Sequence, residues 1–133
     1  MKITRVETIV LNLPMVIDGA TPTLGGRART SIDMLLVRVD TDAGITGWGE
    51  AFRHRIFHAT RAAIDTLLGP MCVGRDPRDI IALSDDFQRV LHSAGRNGPT
   101  IYALSGIDIA LRLRGDRAAE LLQGAQVHAQ GAP

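Results

Sequence analysis

Hydrophobic positions along the chain follow two periods. From Lys2 to Leu13 the period is two: Ile9, Leu11 and Leu13 alternate with Val10 and Asn12, and β-branched residues are frequent. This predicts a β-strand ended by Pro14, which has no backbone N–H for a sheet ladder. Ser31 to Asp40 repeats the pattern with Leu35, Val37 and Val39 on one face, and Ile45 to Ala51 supplies a third strand. Thr41-Asp42-Ala43-Gly44 reads as the turn between them, with Gly44 free to take positive φ. Gly47 and Gly49 flank Trp48 in the third strand. Glycine weakens a strand interior, so this pair implies close approach by another backbone or a ligand.

From Phe57 onward the period lengthens. Phe57, Ile64, Leu67, Leu68 and Met71 suit one helix, with a stop expected near Gly69-Pro70. Asp76-Pro77 predicts the next helix start, an acid as N-cap followed by proline in the first turn. Ile80, Leu83, Phe87, Val90 and Leu91 recur at three-and-four spacing, and Gly95 ends that run. A third helix opens near Pro99-Thr100, with Ile101, Leu104, Ile107 and Leu111 as its apolar face. The order predicts an α+β fold: a three-stranded antiparallel meander followed by a three-helix bundle on one face of the sheet. Met15 to Thr30, holding Gly19, Pro22, Gly25 and Gly26, has no period. It reads as a long mobile loop, with a lid or binding loop and a disordered spacer as the alternatives.

Composition narrows the function classes. A chain of 133 residues is one domain with room for a hydrophobic core. A net charge of +1 excludes a dedicated nucleic-acid binder. Arg53, Arg55 and Arg61 lie close together, which suits a local anionic pocket better than a track for a phosphate backbone. The single cysteine, Cys72, excludes an internal disulfide and a Cys-rich zinc site; between Met71 and Val73 it reads as a small buried hydrophobe. Met1 to Arg5 lacks the apolar core of a signal peptide, and no apolar run reaches the roughly 18 residues of a membrane span. A cytoplasmic protein with no membrane or nucleic-acid partner is expected.

Three stretches carry a family resemblance. Gly47-Trp48-Gly49-Glu50-Ala51, Gly98-Pro99-Thr100-Ile101-Tyr102-Ala103-Leu104 and Ser105-Gly106-Ile107-Asp108-Ile109-Ala110-Leu111 stand in this order after the meander. Together they resemble the N-terminal capping domain of the mandelate racemase and muconate lactonizing enzyme family, within the enolase superfamily. The resemblance implies a cap over a modified TIM barrel, and the barrel is absent from this sequence. In such enzymes the barrel holds magnesium through carboxylates and carries the acid/base Lys or His residues. The metal stabilises an enediolate formed by proton removal next to a carboxylate. The cap contributes two specificity loops, here Met15–Thr30 and Phe52–His58. The expected division is a capping domain over residues 1–111 and a divergent tail over residues 112–133. The tail departs from the family pattern at Arg112, either as a frameshifted or truncated reading frame or as a genuine terminus.

Tested residue by residue, the chain offers specificity and not catalysis. No catalytic residue and no metal ligand is expected. Lys2, the one lysine among 15 Lys and Arg residues, opens the first strand and suits no general base. Asp85 and Asp86 are adjacent on a helix and point to different faces, and Asp40 and Asp42 flank a turn. His54 and His58 have the spacing of two ligands on one helix face but straddle a loop boundary, and no Glu follows His54. Asp108 falls on the apolar stripe and would need a partner there. His92, near a helix end, suits the helix dipole. The candidates for substrate contact are Glu50, Arg53, His54 and Arg55, arginine because its guanidinium grips a carboxylate with two parallel hydrogen bonds. The function implied is the capping domain of a magnesium-dependent racemase or dehydratase acting on acid sugars or 2-hydroxy carboxylates, inactive alone. The rival is a non-catalytic interaction module that dimerises or pairs with a separate barrel. A poorly folding pseudogene product is the third alternative.

Overall fold

The computed structural model describes residues 1–15, 19–95 and 97–112. Three long strands form an antiparallel meander: β1 (Ile3–Pro14), β4 (Ser31–Thr41) and β5 (Thr46–Ala51), with β4 central. β2 (Thr23–Leu24) and β3 (Arg27–Ala28) form a separate small hairpin between β1 and β4. The expected unstructured loop over Met15–Thr30 is thus partly folded. Gly25 and Gly26, at φ 60° and 75°, supply the two left-handed residues that a tight hairpin turn demands. Of that loop, residues 16–18 lie outside the described residues.

Period two decides the faces of the sheet. Leu35, Val37, Val39 and Ala51 are buried beneath the helices. The opposite face carries Ile9, Leu11 and Leu13 of β1, which stand across from Leu36, Met34 and Ile32 of β4. Leu11 and Leu13 are exposed there, with Arg38 over the Trp48 ring at 5.7 Å beside them.

The first helical rod runs through its expected stop. α1 (Phe57–Ala63) continues as a π-turn over Ile64–Leu68 and then as α2 (Gly69–Cys72). In a regular α-helix the Pro70 ring would meet the carbonyl four residues back. One wider turn relieves that clash, with the Gly69 N–H reaching the Ile64 carbonyl five residues back. A second correction concerns α3 (Ile80–Val90). Its N-cap is Asp79, whose carboxylate accepts from the Ala82 N–H at 3.4 Å. Asp76 instead closes the preceding turn, accepting from the Arg78 N–H at 2.9 Å.

α4 (Pro99–Arg112) starts where expected but presents a different face. Ala103, Gly106, Ile107 and Ala110 are buried, whereas Ile101 is exposed and Leu104 and Leu111 are half-buried. Small residues win because the helix lies almost on the sheet. A Cβ on Gly49 would stand 2.2 Å from the Gly106 carbonyl oxygen, and a Cβ on Gly106 would stand 2.7 Å from the Ala51 Cβ. The close approach expected at the strand glycines is therefore backbone against backbone, at Gly49. Asp108, expected on the buried stripe, instead accepts from Arg112 at 2.9 and 3.1 Å one turn on. Leu83, Phe87 and Leu91 of the α3 segment complete the core with Ile64, Leu68 and Cys72.

Candidate functional site

Two loops meet at the end of the sheet where β5 stops. The hairpin is tied down at its base: the Arg29 N–H donates to the Pro22 carbonyl at 2.8 Å, and the Met15 N–H donates to the Thr30 carbonyl at 2.8 Å. The loop after β5 turns sharply, with the Ile56 N–H on the His54 carbonyl and Arg55 at φ 46°. For a residue with a side chain that left-handed conformation is costly, and such residues cluster at functional loops. Arg55 reaches the hairpin tip: its Nη2 lies 3.0 Å from where a Gly25 Cβ would be. Any side chain at Gly25 would push the guanidinium away.

Between the loops lies a crevice of about 240 Å³ lined by Arg27, Arg29, Asp33, Arg53, His54 and Arg55, closed below by Ser31 and Phe57. An adjoining hollow of about 510 Å³ shares Arg29, Arg53 and His54 and adds Glu50, Phe52, Ser105 and Ile109. The four candidates from the sequence thus converge on one place. Arg53, His54 and Arg55 line the crevice. Glu50 stands beside it and accepts from Arg53 Nη1, so it holds that guanidinium. Phe52 stacks on Tyr102 with ring centroids 4.5 Å apart, which braces the loop against α4. Sequence reasoning missed Arg27, Arg29 and Asp33. A Gly-Gly turn followed by arginines at alternate positions was the signal that could have found them. Asp33 is oriented by Asn12, whose Nδ2 donates to its Oδ1 at 2.7 Å.

The other singled-out residues lie elsewhere. His58 packs on Phe57 with centroids 3.9 Å apart. Asp86 pairs with Arg75 at 2.7 Å and Arg89 at 3.3 Å. Asp40 accepts from Arg38 at 3.0 Å and from Thr46 at 2.7 Å, while Asp42 accepts from the Lys2 N–H at 2.8 Å. Cys72 is buried, and that burial pushes its thiol from an ordinary 9.0 up to about 12 despite the nearby positive charge of Arg75. A further cavity of about 300 Å³ sits at the opposite end of the sheet, among Val39, Ile45, Ile80 and Leu111. The guanidinium groups at its rim, Arg78 and Arg112, are already paired with Asp76 and Asp108. His92 and Asp85 line a separate open hollow on the α3 segment with Gln88 and Arg89, whereas Arg53, His54 and Arg55 share the crevice.

Among the described residues no group of three or more His, Cys, Asp or Glu side chains could hold a metal ion. Most acids among the described residues serve as caps, turn closers or ion-pair partners, and none are grouped, so this set does not fit magnesium. What the crevice can do is bind an anion, orient it through guanidinium groups and back it with the Phe57 ring. Among the described residues no helix is long and apolar enough to cross a membrane.

Comparison with known proteins places the fold in a family. The family described as "Mandelate racemase / muconate lactonizing enzyme, N-terminal domain" matches residues 8–121. A D-galactonate dehydratase family member of Musicola paradisiaca is 39% identical over 133 residues, covering 93% of this chain and 27% of that protein. A D-galactonate dehydratase family member of Catenulispora acidiphila is 44% identical over 82 residues, covering 59% of this chain and 18% of that protein. Among solved structures, an enolase superfamily member from Polaromonas sp. JS666 has a TM-score of 0.72 at 32% identity, covering 92% of this chain and 31% of that one. Another from Agrobacterium tumefaciens has a TM-score of 0.68 at 30% identity, covering 83% and 33%. The chain thus spans less than a third of the length of the two curated relatives. With its meander, its three helical segments and a family match across residues 8–121, this chain belongs to the mandelate racemase/muconate lactonizing enzyme family, as an enolase-superfamily N-terminal domain.

Proposed function

We propose that this chain is the capping and specificity domain of a magnesium-dependent acid-sugar dehydratase or racemase. The observation that carries the reading is the convergence of the β2–β3 hairpin and the 52–56 loop on one cationic crevice. Relatives named D-galactonate dehydratase and D-xylonate dehydratase support an acid-sugar substrate. In this reading the barrel that would hold the metal and remove the α-proton lies outside the chain, the domain spans residues 1–111, and residues 112–133 are a divergent tail. The crevice binds and orients the substrate, chiefly through Arg29, Arg53, His54 and Arg55, while Glu50 positions Arg53. The chain alone therefore turns nothing over. Incubation with magnesium and a panel of acid sugars checks this, and reproducible turnover would overturn it. A chimera carrying this chain in place of the cap of a D-galactonate dehydratase is expected to keep dehydratase activity with an altered substrate preference. An active chimera with unchanged preference would contradict the specificity role.

A second reading, a non-catalytic module that associates with a second copy of itself, draws support from the outer sheet face. There Leu11 and Leu13 are exposed beside Ile9, Ile32, Met34 and Leu36. Light scattering separates the readings, since a monomer that stays monomeric at high concentration argues against self-association.

A further inference from the structure

The crevice carries more positive charge than one carboxylate needs. Arg27 and Arg29 sit two residues apart along the hairpin's second strand and its extension, and Arg53 and Arg55 sit two apart in the facing loop. Arg53 is matched by Glu50. Asp33 is the one carboxylate among the crevice-lining residues, and it already accepts from Asn12. Among the described residues no carboxylate lies within ion-pair distance of Arg27, Arg29 or Arg55. Holding several guanidinium groups around one small concave space raises their mutual repulsion, and a multivalent anion relieves it. The concave space also focuses the field of those charges. The Arg55 contact over Gly25 is consistent with this arrangement. A residue in a strained backbone conformation swings its guanidinium across to the other loop, and a glycine leaves the room for it.

We propose that the crevice receives a second anionic group of the substrate, remote from the carboxylate next to the reacting carbon. The preferred substrate is then a dianion, an acid sugar whose far end is a second carboxylate or a phosphate, rather than an aldonate with a neutral hydroxymethyl end. This rests on the capping reading for the meaning of "substrate", but the anion site stands on its own geometry. Arg27, Arg29 and Arg55 bind the remote anion, and Arg53, held by Glu50, with His54 meets the hydroxyl groups between the two ends.

Isothermal titration of the full 133-residue chain at low ionic strength tests this with four probes: galactarate, 6-phosphogluconate, galactonate and galactitol. Galactarate, 6-phosphogluconate or both are expected to bind at least about tenfold tighter than galactonate, with galactitol weakest and the advantage shrinking as salt rises. A preference for galactarate assigns the remote anion as a carboxylate, and a preference for 6-phosphogluconate assigns it as a phosphate. Arg27→Gln is expected to bring the dianions down to the galactonate level while leaving galactonate within about twofold, and Arg55→Gln is expected to weaken the dianions by a larger factor than galactonate. Circular dichroism of each variant establishes that it is folded. Asp18 lies outside the described residues, and Asp18→Asn is expected to keep or strengthen dianion binding. Equal affinity for galactarate, 6-phosphogluconate and galactonate, no binding of either dianion, or loss of dianion binding in folded Asp18→Asn would each overturn the proposal. Failure here is distinct from failure of the capping role. A chimera with altered preference, together with equal affinity of the chain for galactarate, 6-phosphogluconate and galactonate, would leave the cap standing and this inference refuted. Dianion binding with an unaltered chimera would do the reverse.

Discussion

Gly49 and Gly106 show how little space separates β5 from α4. A Gly49→Ala methyl would fall 2.2 Å from a backbone oxygen and 2.8 Å from the Ala110 nitrogen, neither of which can rotate away. That substitution is expected to cost about 1–3 kcal/mol or more by overpacking, read as a lower urea midpoint with unchanged slope. Thr60 predicts the opposite sign. Its hydroxyl is fully buried in α1 and has no hydrogen-bond partner among the described residues. Thr60→Val removes an unsatisfied group at nearly constant shape and is expected to stabilise the fold by about 1 kcal/mol in the same assay. Cys72 adds a pH dependence. Its thiol titrates at about 12 in the folded state, raised from an ordinary 9.0 by burial. The stability it contributes is therefore whole below about pH 9 and is lost as pH rises from there towards 12. Alkylation at pH 8 is expected to track global unfolding; rapid labelling of the native chain would refute the burial argument.

At the scale of elements, the departures from expectation share one cause: local signals compete with packing. Gly69-Pro70 is a strong local stop, yet the rod continues because a π-turn removes the clash and lets Leu68 and Cys72 reach the core. Asp76-Pro77 is a strong local start, yet α3 begins three residues later, because Asp76 is engaged with Arg78. The Arg78 guanidinium, donating to the Asp76 carboxylate at 2.6 Å, holds that carboxyl well below the usual carboxylate range, with the Arg78 backbone N–H adding to it. Any stability this pair contributes is present above the ordinary carboxylate pKa and fades as acidification protonates Asp76. Asp79→Ala is expected to cost about 0.5–1 kcal/mol, at the low end for an N-cap because the bond is 3.4 Å long. A cost above 2 kcal/mol in thermal or urea unfolding would mean that Asp79 does more than cap.

For the whole molecule, the meander sets where the loops arrive. β1 and β4 run long and pair from Ile3 to Pro14, which carries the hairpin to the same end of the sheet as the 52–56 loop. Gly25→Ala tests that meeting directly. It is expected to displace the Arg55 guanidinium and weaken anion binding several-fold, at a cost of about 1 kcal/mol in stability because a side chain at φ 60° is strained. Unchanged anion binding in that variant would show that Arg55 need not span the two loops.

The sequence by itself determined the three long strands, the turn at Gly44, the existence of three helical segments and the family. Each of these is written in local periodicity, in turn chemistry or in short ordered motifs. Only the tertiary structure decided which face of α4 is buried, because Ala103, Gly106 and Ala110 become the core only when β5 offers Gly49 and Ala51 opposite them. It alone brought Arg27 and Arg29 against Arg53, His54 and Arg55, residues far apart in the chain. Side chains on two loops share a crevice only after strand register has set where each loop ends. Register is a property of the paired sheet, not of either segment.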